Sequence, residues 1–280
     1  MTAGRWALLA AMVLTGCTSA PVTAPSAETV AMREVRLPPT SGPFDYQLGG
    51  AADVGGLTTV VRDASARPLP GAYNVCYVNG FQTQPGQGEE WLTHHGAAVL
   101  RDADGSPVRD PDWPDEYVLD PSTAERRAAI LDVLAPVLSG CAREGFDAVE
   151  IDNLDTFTRF TEPATGRVDE AGALELARSY ADLAHRNGLA IGQKNAADAV
   201  EAGRHDVGFD FAVTEECAAY DGCGDYRRGY GSHVLQIEYV DNLPRPFAEV
   251  CASPDRAPLT ILRDRRLVPP GTPGYARAQC

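Results

Sequence analysis

The sequence predicts a parallel (β/α)8 barrel of TIM type, in one domain behind an N-terminal leader. Three observations predict it. Short apolar, β-branched runs alternate with amphipathic helical stretches along most of residues 44–280. Nearly every such run ends in a polar cluster, and parallel barrels carry their sites at that end. A doubly wound open sheet is the alternative, but it usually carries a Gly-rich phosphate turn after its first strand, and Gly49-Gly50 is too little for one.

Residues 1–16 stand outside the barrel. Arg5 precedes Trp6–Leu14, an apolar run too short to span a bilayer, and Leu14-Thr15-Gly16-Cys17 fits a lipoprotein cleavage pattern. This predicts export and a lipid anchor on the Cys17 thiol. Residues 17–43, rich in Ser, Thr, Pro and Ala, read as a flexible tether. The formal charge is −15, and loss of residues 1–16 removes Arg5 and no acid, leaving −16. Such a chain is a poor partner for nucleic acid and a good one for a cationic substrate. Six cysteines follow Cys17: Cys76, Cys141, Cys217, Cys223, Cys251 and Cys280. An even number in an exported chain predicts disulfides; fifteen pairings are possible. Neighbourhood suggests Cys217–Cys223 and Cys251–Cys280, leaving Cys76 with Cys141. Their spacing matches no zinc site.

The first strand is 44–48, stopped by Gly49-Gly50; the second is 57–61; the third is 72–78, ending at Asn79. A long loop with Trp91, His94, His95 and Trp113 leads to a candidate strand at 116–119. Ser122 or Thr123 can cap the helix that runs to Ala142, whose Ile130, Val133, Leu134 and Val137 share one face. Phe146–Ile151 is the central strand, and Glu150, Asp152 and Asp155 crowd its end. Carboxylates so close repel one another unless they hold a cation or do proton chemistry. Helix 171–184 and strand 189–193 follow, the latter closed by Lys194 and Asn195. Strand 209–213 ends in Thr214-Glu215-Glu216, strand 234–239 carries Glu238 and Tyr239, and strand 259–262 is the last. That makes nine candidates, one more than a barrel needs.

The rim is therefore acid-rich with aromatic neighbours: Tyr46, Phe81, Trp91, Trp113 and Tyr239. Carboxylates beside ring platforms suit a sugar polymer. Glycoside hydrolysis needs one protonated and one ionised carboxyl, and Asp152 and Glu215 each directly follow a strongly apolar strand. There is no G-x-S-x-G elbow. His94 and His95, or Asp152 and Asp155, could bind a metal, and Lys194 could form a Schiff base, but solvated or ion-paired roles are commoner for such residues.

The segments Phe44–Gln47, Cys76–Asn79, Gly145–Asp155, Gly192–Asn195, Phe209–Cys217 and Glu238-Tyr239 together resemble the endo-α-1,4-polygalactosaminidases, glycoside hydrolase family 114. The resemblance implies a barrel enzyme that cuts α-1,4-linked galactosamine polymers internally. It implies Asp152 as nucleophile and Glu215, rather than Glu216, as acid/base, with no cofactor. Asp45, Gln47, Asn79, Asp155, Lys194, Asn195, Glu238 and Tyr239 would contact the sugar, and the protein is expected to act as a monomer. Ile151 and Thr214 depart from the family pattern, which often has Pro and Asn there. The rival readings are a non-catalytic polysaccharide-binding lipoprotein and a metal-dependent hydrolase or deacetylase.

Overall fold

Eight parallel strands follow one another around a nearly closed barrel in chain order, as the computed structural model describes for residues 1–2 and 35–280. The expected signal peptide, Cys17 and most of the expected tether lie outside the described residues. The strands are β1 (Phe44–Gln47), β2 (Thr59–Asp63), β3 (Tyr73–Asn79), β4 (Ala148–Asp152), β5 (Ala190–Lys194), β6 (Phe211–Glu215), β7 (Val234–Tyr239) and β8 (Leu259–Arg263). Each pairs in parallel with the next through β8. A short β9 (Arg277–Gln279) then adds antiparallel to β8. The main helices are α1 (Gly88–His94), α2 (Ala124–Glu144), α3 (Glu170–Arg186), α4 (Cys223–Tyr230) and α5 (Phe247–Ala252).

Local chemistry sets these boundaries. Thr123 caps α2, its hydroxyl accepting from the Arg126 amide, and Gly145 ends the helix at φ 97°. The Asp169 carboxylate caps α3 by accepting from the Gly172 amide at 2.7 Å. Of the nine candidate strands, 116–119 is the extra one. Its residues make only isolated antiparallel bridges, Tyr117 to Arg109, Val118 to Gln82 and Leu119 to Val99, inside the long β3–α2 loop. Their apolar character is spent on packing that loop against the barrel wall, where Val118 and Leu119 are fully buried.

Strand alternation divides the apolar residues into two sets. Phe44, Tyr46, Val61, Val75, Ala148, Ala190, Phe211, Val213, Leu235, Ile237 and Ile261 fill the barrel. Cys76, Val78, Val149, Ile151, Ile191 and Ala212 face outward onto the helices. Gly192 keeps its place inside because a Cβ there would sit 2.7 Å from the Phe211 ring. The seam between β8 and β1 is closed by side chains. Buried Arg263 donates to the Asp45 carboxylate at 2.6 Å and to the Tyr46 carbonyl, and Arg277 donates to the Phe44 carbonyl at 2.8 Å.

Residues 36–43, read from sequence as the end of a tether, lie along the N-terminal face instead. Arg36 donates to Asp147 at 2.6 Å, and Pro38 accepts from the His233 ring at 3.0 Å. Cys76–Cys141, Cys217–Cys223 and Cys251–Cys280 are disulfides. They tie β3 to α2, brace the loop after β6, and fasten the C-terminus to α5.

Candidate active site

The C-terminal ends of the strands open into a cavity of about 1140 Å³. Lys194, at the end of β5, stands on its floor with its side chain 1% exposed. Its Nζ lies 2.9 Å from Asp152 Oδ1, 3.1 Å from Glu215 Oε2 and 3.1 Å from Glu150 Oε1. These three acids come from β4 and β6, and all project inward because they occupy the same alternation phase as Ala148, Phe211 and Val213. Asp152 Oδ1 and Glu215 Oε2 can be no farther apart than their two distances to that nitrogen laid end to end, 6.0 Å. The acids predicted to meet across a sugar linkage therefore share one corner of the cavity.

Each is held from behind. The Tyr77 hydroxyl donates to Asp152 Oδ2 at 2.6 Å, and the Asn153 amide to Oδ1 at 2.8 Å. Glu215 accepts from the Tyr239 hydroxyl, and its own amide donates to Asn195 Oδ1 at 2.9 Å. Asn153 and Asn195 both sit at positive φ, 66° and 48°, which turns the chain sharply just past each strand. Glu150 is deepest. It is wholly buried and accepts from the Tyr46 hydroxyl at 2.7 Å.

The electrostatics follow from burial opposed by pairing. Burial alone would discharge Lys194, yet Asp152 and Glu215 outweigh it and hold the ammonium well above its ordinary pKa. Burial alone would raise Asp152, but Lys194 and the Tyr77 hydroxyl overcome it and keep the carboxyl below its usual range. For Glu150 burial wins, and its carboxyl is pushed up to about 7 despite Lys194. A lysine that divides its field among three carboxylates does not fully compensate the most deeply buried one.

Seven of the predicted site residues besides the cysteines line this cavity: Asp152, Glu215, Asn79, Asp155, Lys194, Asn195 and Tyr239. Asp45, Gln47 and Glu238 do not. They occupy the opposite alternation phase and point out of the barrel. Asp45 is spent on Arg263, and Gln47 accepts from Arg62 at 3.0 Å. Glu238 accepts from Gln236 at 2.8 Å and from the Ala218 amide at 3.1 Å. Thr214 likewise turns away from Glu215. The aromatic platforms also thin out: Phe81 is buried edge-on against Tyr180, Trp91 is buried, and Trp113 is the ring left 55% exposed at the cavity wall. Sequence reasoning left Tyr77, Glu150 and Glu116 off its site list. The first two were findable from phase, two residues before Asn79 and Asp152. Nothing local marks Glu116, which arrives on the long loop.

Among the described residues, one group brings metal-binding side chains within reach of one another: Cys217, Cys223 and Glu238. Its thiols are consumed in a disulfide.

Comparison with solved structures finds the same barrel in other proteins. Ega3 of Aspergillus fumigatus, solved in complex with galactosamine, superposes with a TM-score of 0.67 at 18% identity, over 88% of this chain and 98% of that one. The glycoside hydrolase domain of PelA from Pseudomonas aeruginosa gives 0.54 at 17% identity, over 83% and 97%. At such identities the likeness speaks for the barrel alone. A search of curated protein sequences finds no match. The sequence profile of glycoside-hydrolase family GH114 matches residues 24–280, so this chain belongs to that family and is a glycoside hydrolase.

Proposed function

We propose that the protein is an endo-acting hydrolase of α-1,4-linked galactosamine polymers that works by double displacement with retention. The observation that carries this reading is the convergence of Asp152 and Glu215 on Lys194, which keeps their nearest oxygens within 6.0 Å. Retaining glycosidases hold their carboxyls about 5–5.5 Å apart, whereas inverting ones need about 6.5–9.5 Å for an intervening water.

In the first step Asp152, kept ionised by Lys194, attacks the anomeric carbon. Glu215 gives its proton to the departing glycosidic oxygen, and a glycosyl ester forms on Asp152. In the second step Glu215 takes a proton from water, the water oxygen bonds to the anomeric carbon, and the Asp152 ester bond breaks. Tyr239 fixes the Glu215 carboxyl, and Tyr77 and the Asn153 amide fix Asp152. The two carboxyls and the attacking water supply every proton and electron pair, so the scheme needs no cofactor. The galactosamine bound to Ega3 supports an amino-sugar substrate, as does the net charge of −15. The three disulfides support a location outside the cytoplasm, and the Leu14-Thr15-Gly16-Cys17 pattern supports a lipid anchor on Cys17.

The test is turnover of deacetylated polygalactosamine by wild type, Asp152→Asn and Glu215→Gln. Both variants should lose at least about 10³-fold in kcat, with activity of the wild type unchanged by a chelator. NMR of the first-formed product should show the α anomer. An initial β anomer refutes retention, wild-type turnover in Asp152→Asn refutes the nucleophile, and binding without turnover by the wild type leaves the carbohydrate-binding reading.

A further inference from the structure

Most acids of the cavity wall already have a cation. Asp152 and Glu215 share Lys194, Glu216 takes Arg265 at 2.6 Å, and Asp155 takes Arg159 at 3.5 Å. Glu116 does not. It lies on the loop between β3 and α2, is 7% exposed, and lines the cavity. Its Oε2 accepts from Asn79 Nδ2 at 2.8 Å, and among the described residues no other side chain donates to it and no cation pairs with it.

The placement is fixed. Asn79 is the register neighbour of Asp152 across β3 and β4. Its Oδ1 accepts from Asn153 Nδ2 at 3.0 Å and from the Gln82 amide at 3.1 Å, which turns its amide nitrogen toward Glu116. Glu116 thus stands one hydrogen bond from the residue beside the proposed nucleophile. Arg159 is the basic residue whose field reaches it, but that guanidinium is occupied by Asp110 at 2.6 Å and by Asn153 at 2.8 Å. Burial, opposed by the Asn79 bond and reinforced by Asp152 and Asp110, pushes the Glu116 carboxyl up to about 7. A carboxylate so desolvated gains strongly when a cation enters the cavity beside it. A single carboxylate is too few ligands for a hard metal ion. A sugar hydroxyl would return no charge. An ammonium supplies both charge and three donors.

We propose that Glu116 is the carboxylate that receives the free ammonium of an amino sugar in the subsite next to Asp152, and so selects deacetylated over N-acetylated residues. This rests on the amino-polysaccharide reading above, and adds the group that chooses between the two forms of the sugar. A charge-assisted hydrogen bond at a site this dry discriminates by at least about tenfold.

Calorimetry at neutral pH on the mature chain, with galactosamine and N-acetylgalactosamine as separate titrants, tests it. Wild type should favour galactosamine at least about tenfold, and Glu116→Gln should collapse the ratio to below about threefold. Glu116→Asp, which keeps the charge but withdraws it by one methylene, should give an intermediate ratio and serves alone if the Gln variant does not fold. A wild-type ratio near one, or a ratio unchanged in either variant, overturns the assignment. Loss of polymer turnover in wild type sinks the reaction instead, and leaves the affinity ratio still decisive for Glu116.

Discussion

Replacing Glu150 by Gln should change the slope of stability against pH, with a sign the structure fixes. Glu150 is wholly buried beneath Lys194, and its folded carboxyl titrates near 7 against an ordinary value of 4.5. A group whose folded pKa is raised contributes stability that is fully present below the unfolded value and is lost as pH rises through the folded one. In wild type that loss falls between about pH 4.5 and pH 7. At 1.36 kcal/mol per pKa unit it amounts to about 3 kcal/mol. Gln keeps the shape and a hydrogen-bonding oxygen for Tyr46 and Lys194, but cannot ionise. Wild type and Glu150→Gln should therefore differ in unfolding free energy by one amount at pH 4.5 and by an amount about 3 kcal/mol more favourable to the variant at pH 8. Urea unfolding of both proteins at the two pH values measures this directly, provided the m-values agree. A difference that stays flat, or that moves toward wild type as pH rises, refutes the claim that burial outweighs Lys194 at Glu150.

Lys194→Met should cost about 3–5 kcal/mol at pH 7, because it strands buried carboxylates without their cation. Asp152 would lose the partner that depresses it, so the acid limb of kcat/KM against pH should move to higher pH. A limb that does not move would separate Lys194 from Asp152 ionisation. Arg263→Met opens the seam between β8 and β1 and leaves Asp45 against Arg277 alone, at 3.4 Å. A loss on the order of 10 °C in Tm is expected by scanning calorimetry. Gly192→Ala drives a methyl into Phe211 inside the barrel, and denaturant titration should show about 1–3 kcal/mol of lost stability.

The fold was legible because a barrel repeats one instruction, an apolar run ending in polar residues, and eight of the nine runs so marked are barrel strands. The ninth, at 116–119, is apolar for a different reason: it packs a loop, and periodicity does not distinguish a core-facing loop from a buried strand. The site was half legible by the same logic. Asp152, Lys194 and Glu215 stand at strand ends in the inward phase, and proximity to a strand end was enough to find them. It also brought in Asp45, Gln47 and Glu238, whose neighbours Tyr46 and Tyr239 take the inward positions. Reading phase as well as position would have removed all three and added Glu150 and Tyr77. Glu116 lies beyond either rule, since its place is set by how 44 residues between β3 and α2 fold back over the rim.

The arrangement around Lys194 also explains how so many acids share one dry cavity floor. With Asp152 ionised and Lys194 charged, the pair is neutral, and every further ionisation adds uncompensated charge to a buried site. Glu150, deepest and least compensated, is the first to yield, which is why its carboxyl rises while that of Asp152 falls. The lysine therefore sorts acids rather than simply neutralising them: it favours the charged form where β4 meets the cavity and leaves the proton on the layer beneath. On the proposed mechanism this sorting is what keeps Asp152 ionised for attack while a second carboxyl lies beneath it. In this barrel three side chains of one alternation phase, Glu150 and Asp152 on β4 and Lys194 on the adjacent β5, supply it.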